Sequence, residues 1–140
     1  MNSKITALLV MPRQCRSPLL KQLQACNLDV RPASDCSEAR QILERRPAVD
    51  VVLSDATLPD GDWSSVLEDL LRSRIDAELI VCSRLADTSL LCEVLQRGAY
   101  DLLVEPYRQD EVQRIVESAA ARNRMHTPVR HHFQSLRASA

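Results

Sequence analysis

Three oxygen-bearing side chains stand at the ends of short apolar runs: Asp55 after "VDVVLS", Ser83 at the end of "ELIVCS" and Glu105 after "DLLV". If they share an edge, the two carboxylates either raise one another's pKa or pair with a nearby cation, for which Arg13 and Arg84 are the candidates. A cation would leave a self-neutralised pocket. Whether the three residues meet depends on the elements that carry them.

Those elements alternate. "ITALLV" (Ile5–Val10) is the continuous apolar run of a strand covered on both faces, and "SPLLKQLQAC" predicts a helix capped by Ser17 with Pro18 at its first position. Leu19, Leu20 and Leu23 then share a face. A weak strand over Leu28–Arg31 leads to "DCSEARQILERR", where Asp35 and Glu38 have capping-box spacing, Ala39, Ile42 and Leu43 form the apolar stripe, and Pro47 ends the helix. "VDVVLSD" (Val49–Asp55) is the central strand, followed by the turn-rich "ATLPDGDW" and a helix with Val66, Leu67, Leu70 and Leu71 inward. "ELIVCS" (Glu78–Ser83) is the fourth strand. The next helix gathers Leu90, Leu91, Val94 and Leu95 and ends before Gly98, and "DLLV" (Asp101–Val104) is the fifth strand. A last helix from about Asp110 buries Val112, Ile115, Val116, Ala119 and Ala120.

Five strands, each followed by a helix, predict a doubly wound parallel sheet with helices on both faces. Ligand chemistry in such sheets lies outside the carboxyl ends of the strands. Met11, Pro12 and Arg13 follow the first strand, Asp55 the third, Ser83 and Arg84 the fourth, and Glu105 and Pro106 the fifth. Glu105 is thus expected to share an edge with Asp55 and Ser83.

Over roughly residues 4–120 the chain resembles the receiver domain of bacterial response regulators. "VVLSDATLPDGDW" is similar to the family's phosphoacceptor strand and loop, "LIVCS" to its hydroxyl-bearing strand, and "RGAYDLLVEPY" to its fifth strand with the cis-proline junction. The resemblance implies a flavodoxin-like (βα)5 fold with strand order 2-1-3-4-5. It places Asp55 at the phosphoacceptor position, Ser83 at the Ser/Thr position and Pro106 at the proline position; toward a metal, Asp55 is aided at best by a backbone carbonyl near Thr57.

The departures from the family pattern concern charge. Met11 and Pro12 stand where the family has an acidic pair that helps hold magnesium, Glu105 replaces the lysine before the proline, and Leu102 replaces the aromatic switch residue. Magnesium takes octahedral oxygen coordination, which neither a thioether nor a proline ring supplies. Phosphoryl transfer relies on positioning and on neutralising charge over the equatorial oxygens. Exchanging a lysine for a glutamate turns an attraction into a repulsion, each about 4 kcal/mol at 4 Å with an effective dielectric near 20. The expected cofactor complement is therefore none, with magnesium binding weak or absent. Asp60 and Asp62, which could in principle replace the lost ligands, are read as serving turn geometry and solvation.

Composition narrows the remaining classes. The 140 residues fit one core, with 45% hydrophobic and 26% charged residues. Five scattered cysteines without a C-x-x-C pair suggest neither zinc nor a disulfide framework. No segment has the length of a membrane span and no signal peptide is evident, so a cytoplasmic location is expected. Residues 121–140 carry four arginines and no acid, but no nucleic-acid-binding motif accompanies them, and His126, His131 and His132 lack further ligands at metal spacing. Pro128 is expected to interrupt the last helix. A flavodoxin-like enzyme or flavin binder is disfavoured by "MPRQCRSP", which has no glycine to cradle phosphate.

These readings assign residues 1–122 to a receiver-like domain and 123–140 to a basic tail or linker. The expected function is a non-enzymatic, protein-binding signalling module independent of magnesium-dependent aspartyl phosphorylation. Its partner would be a histidine kinase, an output domain or another regulator. A homodimer could form through the fourth helix, fifth strand and fifth helix, about Thr88–Arg122. The alternatives are a working phospho-receiver using Asp55, and the regulatory domain of a nucleic-acid-binding transcription or antitermination regulator.

Overall fold

The computed structural model describes residues 4–45 and 48–139, with side chains described as far as residue 125. The elements in order are β1 (Thr6–Val10), α1 (Arg13–Ala25), β2 (Asp29–Ala33), α2 (Cys36–Glu44), β3 (Val51–Asp55), β4 (Thr57–Leu58), β5 (Gly61–Asp62), α3 (Trp63–Arg72), β6 (Glu78–Ser83), α4 (Thr88–Gln96), β7 (Asp101–Val104) and α5 (Gln109–Ser139). The five long strands pair in the order β2-β1-β3-β6-β7, all parallel. Counting only those strands, this is the expected order 2-1-3-4-5.

Alternation along the strands builds two apolar layers. Leu8, Val10, Val52, Leu79 and Val81 face α2, α3 and α4, which contribute Ala39, Leu43, Val66, Leu70 and Val94. Ala7, Leu9, Val51, Leu53, Ile80, Cys82 and Leu103 face α1 and α5, with Leu19, Leu23, Val112, Val116 and Ala119. Because both faces are covered, the central strands read as unbroken apolar runs. Leu20 and Ile42 lie half-buried at the margins of these layers.

Several boundaries differ from the sequence reading. α1 begins at Arg13, with Pro12 as its N-cap, so Pro18 lies inside the helix and Ser17 caps nothing. The turn closes early because Met11 N–H still bonds Ala33 O and Cys15 N–H already bonds Pro12 O. Asp35 does cap α2, its carboxylate accepting from Glu38 N–H at 2.8 Å, but the Glu38 carboxylate accepts from Ser34 N–H rather than from Asp35. Pro47, expected to end this helix, lies outside the described residues. Leu71 and Leu95, expected inward, are 53% and 49% exposed, since each falls at the edge of a stripe already filled by its neighbours on the same helix. Gly98 follows the α4 cap Arg97 with φ +96, the left-handed conformation that ends the helix.

α5 runs through Pro128 to Ser139 rather than being interrupted there. A proline lacks only its own N–H, so the one helical bond lost is that to the Arg124 carbonyl. The side chains of His126, His131 and His132, read as lacking metal spacing, lie outside the described set. No described helix is long and apolar enough to cross a membrane.

Candidate functional site

β3, β6 and β7 are neighbours, and the register Asp55↔Cys82, Ser83↔Val104 brings their carboxyl ends to one edge. Asp55 is half-buried at the end of β3, where the chain leaves a fully buried Ser54. Glu105 follows β7, its N–H bonded to Ser83 O, and precedes Pro106 through a cis peptide bond, as the junction motif implied. Met11 leaves β1 2% exposed and packs in the α1/α5 layer, while Pro12 holds the α1 N-cap with no side-chain cap bond.

Arg84, carried by the loop after β6, supplies the cation. Its Nε lies 3.9 Å from Glu105 Oε2, and its guanidinium also donates to Cys15 Sγ at 2.9 Å. Arg13, the other candidate, is the exposed first residue of α1. Cys15 was missed as a neighbour of the site because α1 was expected to start after it; an earlier helix start turns its thiol toward the pocket. Tyr107 was also missed. It is buried beside the junction, and its phenol is held well above its ordinary pKa by burial first, then by Cys82, Glu105 and Asp55.

Asp55 has a raised pKa. Burial is the main cause, opposed by backbone N–H groups and by Arg84, and reinforced slightly by Glu105. Of the backbone donors, Ala56 N–H already bonds Cys82 O at 2.9 Å, leaving Thr57 N–H as the dedicated one. Glu105 is thus the smallest of the influences on Asp55, and Arg84 is placed to offset it. Ser83 takes no part in this exchange: its hydroxyl donates to Leu85 O at 3.0 Å and accepts from Leu85 N–H at 3.2 Å.

A raised carboxyl pKa means that the folded protein holds this proton more tightly than the unfolded chain does. The associated stability is fully present below the ordinary value of 3.8 and is lost as pH rises through the folded pKa. Asp55→Asn removes that loss. Thermal melts are expected to show the variant above wild type at neutral pH, with the difference shrinking as pH falls toward the ordinary aspartate range. A variant less stable than wild type at pH 7 would contradict the burial account; because Asp55 is half-exposed, the gain is small.

The β4–β5 hairpin, read from sequence as a plain turn, organises the rim. Asp60 accepts from Cys36 N–H at 2.8 Å and Ser37 N–H at 3.0 Å, tying the loop to the start of α2. Asp62 caps α3, accepting from Ser64 N–H and Ser65 N–H, and Ser65 Oγ accepts in return from Asp62 N–H. Both pKa values are lowered. Hydrogen bonds to backbone and, for Asp62, chiefly to the Ser64 hydroxyl hold the charged forms; for Asp60 burial opposes this and is the largest single influence. These two aspartates therefore serve geometry, as expected.

On the α4 side, Leu102 is half-buried and packs against the layer containing Val94 and Leu90. Arg97 is engaged by α3 and α4 together, with Glu68 at 3.9 Å, Glu93 at 3.8 Å and the Trp63 ring centroid at 5.5 Å. Among the described residues no group of three or more His, Cys, Asp and Glu is gathered as a metal would need.

Comparison with known proteins agrees with this arrangement. The model of the response regulator receiver domain matches residues 13–117. Two-component response regulator ORR21 of Oryza sativa subsp. indica is 32% identical over 105 residues, covering 72% of this chain but only 15% of the relative. Chemotaxis protein CheY of Bacillus subtilis is 32% identical over 63 residues, 45% of this chain and 52% of that protein. The chain thus spans a small part of the first relative and about half of the second. Among solved structures, a Vibrio parahaemolyticus signal receiver domain superposes with a TM-score of 0.79 at 22% identity, covering 91% of this chain and 98% of that one. The Francisella response regulator 1452 receiver domain does so at 0.73 and 26%, covering 85% and 98%. With its parallel sheet in the order β2-β1-β3-β6-β7, and Asp55, Ser83 and the cis Glu105–Pro106 junction on one edge, the chain belongs to the response regulator receiver domain family.

Proposed function

We propose that this receiver domain signals through protein contacts without magnesium-dependent phosphorylation of Asp55, and that it turns over no substrate. The observation that carries this reading is the Arg84–Glu105 pair beside Asp55, at an edge where Met11 and Pro12 follow β1. Magnesium fits these residues poorly. It needs near-octahedral oxygen ligands, and here a thioether and a pyrrolidine ring stand beside one half-buried carboxylate, with a second carboxylate facing a guanidinium. Arg84 carries the positive charge instead, from the loop after β6 rather than from the end of β7.

A titration of the purified domain with magnesium, followed by calorimetry and by Trp63 fluorescence, is expected to show no saturable binding at millimolar concentrations. Saturable binding that Asp55→Asn abolishes would overturn the reading and favour a working phospho-receiver.

The partner surface in this proposal is α4, β7 and the first part of α5, about Thr88–Arg122, which would take a kinase, an output domain, another regulator or a second copy. With Leu102 lodged under α4 and no aromatic ring at that position to move, this face stays in one state. Arg97 is a poor probe of that surface, because reversing its charge also breaks the α3 contacts. Arg108, exposed before α5, is the cleaner one. Arg108→Glu is expected to weaken self-association seen by sedimentation; a monomer at every concentration in both proteins would remove the dimer from the proposal.

A further inference from the structure

The last described side chains of α5 grip the opposite edge of the sheet from the candidate site. Arg124 donates through Nε to Asp50 Oδ1 and through a terminal nitrogen to Asp50 Oδ2, both at 2.9 Å. Asp50, just before β3, also accepts from Thr6 N–H at 3.0 Å, and the same Arg124 nitrogen reaches Lys4 O at 3.5 Å. One guanidinium thereby joins α5 to the entries of β1 and β3. One helical step back, Arg122 Nε lies 3.6 Å from Glu78 Oε2 at the entry of β6, and its guanidinium stacks 5.5 Å from the Tyr100 ring centroid before β7. Between the two arginines, Asn123 is 7% exposed.

This is more than a pair of surface contacts. The Glu78 side chain is 1% exposed and that of Asp50 13%, so each arginine meets a carboxylate held inside the domain. A bidentate guanidinium–carboxylate fork fixes orientation as well as distance, which a single contact does not. The Asp50 hydrogen bonds raise the Arg124 pKa further, so this cation stays charged throughout the accessible pH range. Immediately beyond lies a weak point: Pro128 has no N–H to give the carbonyl of Arg124, so helical bonding thins just where the grip ends.

We propose that Asp50–Arg124 and Glu78–Arg122 form a latch that makes α5 up to Met125 part of the rigid domain and fixes the direction in which the following segment leaves it. The latch spans the entries of β1, β3 and β6 directly and that of β7 through Tyr100, so the exit direction is set by the sheet as a whole. The turn around Pro128 becomes the first place where the chain can bend independently. In this arrangement, two of the four arginines of the basic C-terminal stretch are structural anchors and are withheld from outside ligands.

Hydrogen exchange of the full chain, read by mass spectrometry on peptides covering residues 117–125, tests the latch. Arg124→Ala is expected to speed exchange there about fivefold to tenfold, as a bidentate pair to a mostly buried carboxylate should, with β3 and β6 unchanged. Arg124→Lys keeps the charge but not the fork and should fall between the two. Arg122→Ala, whose site is separate, should accelerate the same peptides, and raised salt should narrow the gap between wild type and variants. Unchanged exchange over 117–125 in both alanine variants would overturn the proposal. So would equal acceleration throughout the sheet, which would mean that the arginines support global stability and not the exit of α5.

Discussion

The Met11→Asp, Pro12→Asp, Glu105→Lys variant, incubated with acetyl phosphate and magnesium, is expected to acquire a phosphoryl group on Asp55, whereas Glu105→Lys alone is not. On the proposed reading, two separate deficits act on one transfer: with no carboxylates after β1, a metal would not be held over the equatorial oxygens, and with Glu105 in place of a cation the product would meet a repelling charge. Each is worth several kcal/mol of barrier, so correcting one leaves the rate orders of magnitude low. The structure also says which substitution is difficult. Pro12→Asp places an acceptor at the α1 N-cap, where no side chain now caps the helix, and aspartate is among the best residues there. Met11→Asp instead inserts a carboxylate where a 2% exposed thioether packs, so the triple variant should be less stable than wild type even if it regains labelling. Intact-mass measurement with a melt on the same sample reads both outcomes. A folded triple variant that stays unlabelled would mean that the loss lies elsewhere, with the Arg84 guanidinium at the pocket mouth the first suspect.

A second large effect is expected away from the chemistry. Leu103 is 1% exposed at the centre of β7, the edge strand that delivers Glu105, and it is packed among Ile80, Tyr107 and α5. Leu103→Ala removes buried methyl groups at a place pinned between β6 and a helix, where collapse is limited. A loss of about 2–5 kcal/mol follows, which lowers Tm by roughly 10 °C. Leu71→Ser and Leu95→Ser, at positions about half exposed, should change stability by less than about 0.5 kcal/mol. Equal destabilisation by all three would mean that the two apolar layers are not as described.

The contrast between those leucines shows where a sequence is informative. β6 and β7 begin and end at the residues expected, because a strand covered on both faces has no choice but an unbroken apolar run, and its polar flanks mark the ends. β2 has no such signature. It is a largely exposed edge strand that contains Pro32, and its observed span, Asp29–Ala33, runs two residues past the expected end. The start of α1 was misplaced for a different reason. Ser17-Pro18 is a good local start signal, yet the sheet hydrogen bond at Met11 and the turn bond from Cys15 to Pro12 commit the backbone to a helix five residues earlier, and tertiary geometry outweighed the local preference.

At the candidate site, the residues that come from strand ends could be read directly. Asp55, Ser83 and Glu105 follow apolar runs, and a parallel sheet sends all such ends to one edge. What could not be read was the direction of side chains from loops. Arg84 and Arg13 were equal candidates by sequence, and only the path of the β6–α4 loop sets Arg84 against Glu105. Ser83 illustrates the same limit from the other side: its position is as expected, but its hydroxyl is occupied by the next turn of its own loop. The roles of Arg122 and Arg124 were equally hidden, since a run of arginines without acids looks like a solvated stretch until the carboxylates it meets, 44 and 74 positions away for Glu78 and Asp50, are brought beside it.

The central claim is that Asp55 stands in a pocket whose charges are already balanced without a metal. The most direct measurement is the intact mass of wild-type protein and of Asp55→Asn after incubation with acetyl phosphate and magnesium. The account predicts that both masses stay unchanged. A phosphate adduct on the wild-type protein that is absent from Asp55→Asn would contradict it, and would mean that the pocket opens to magnesium and phosphate despite Met11, Pro12 and Glu105.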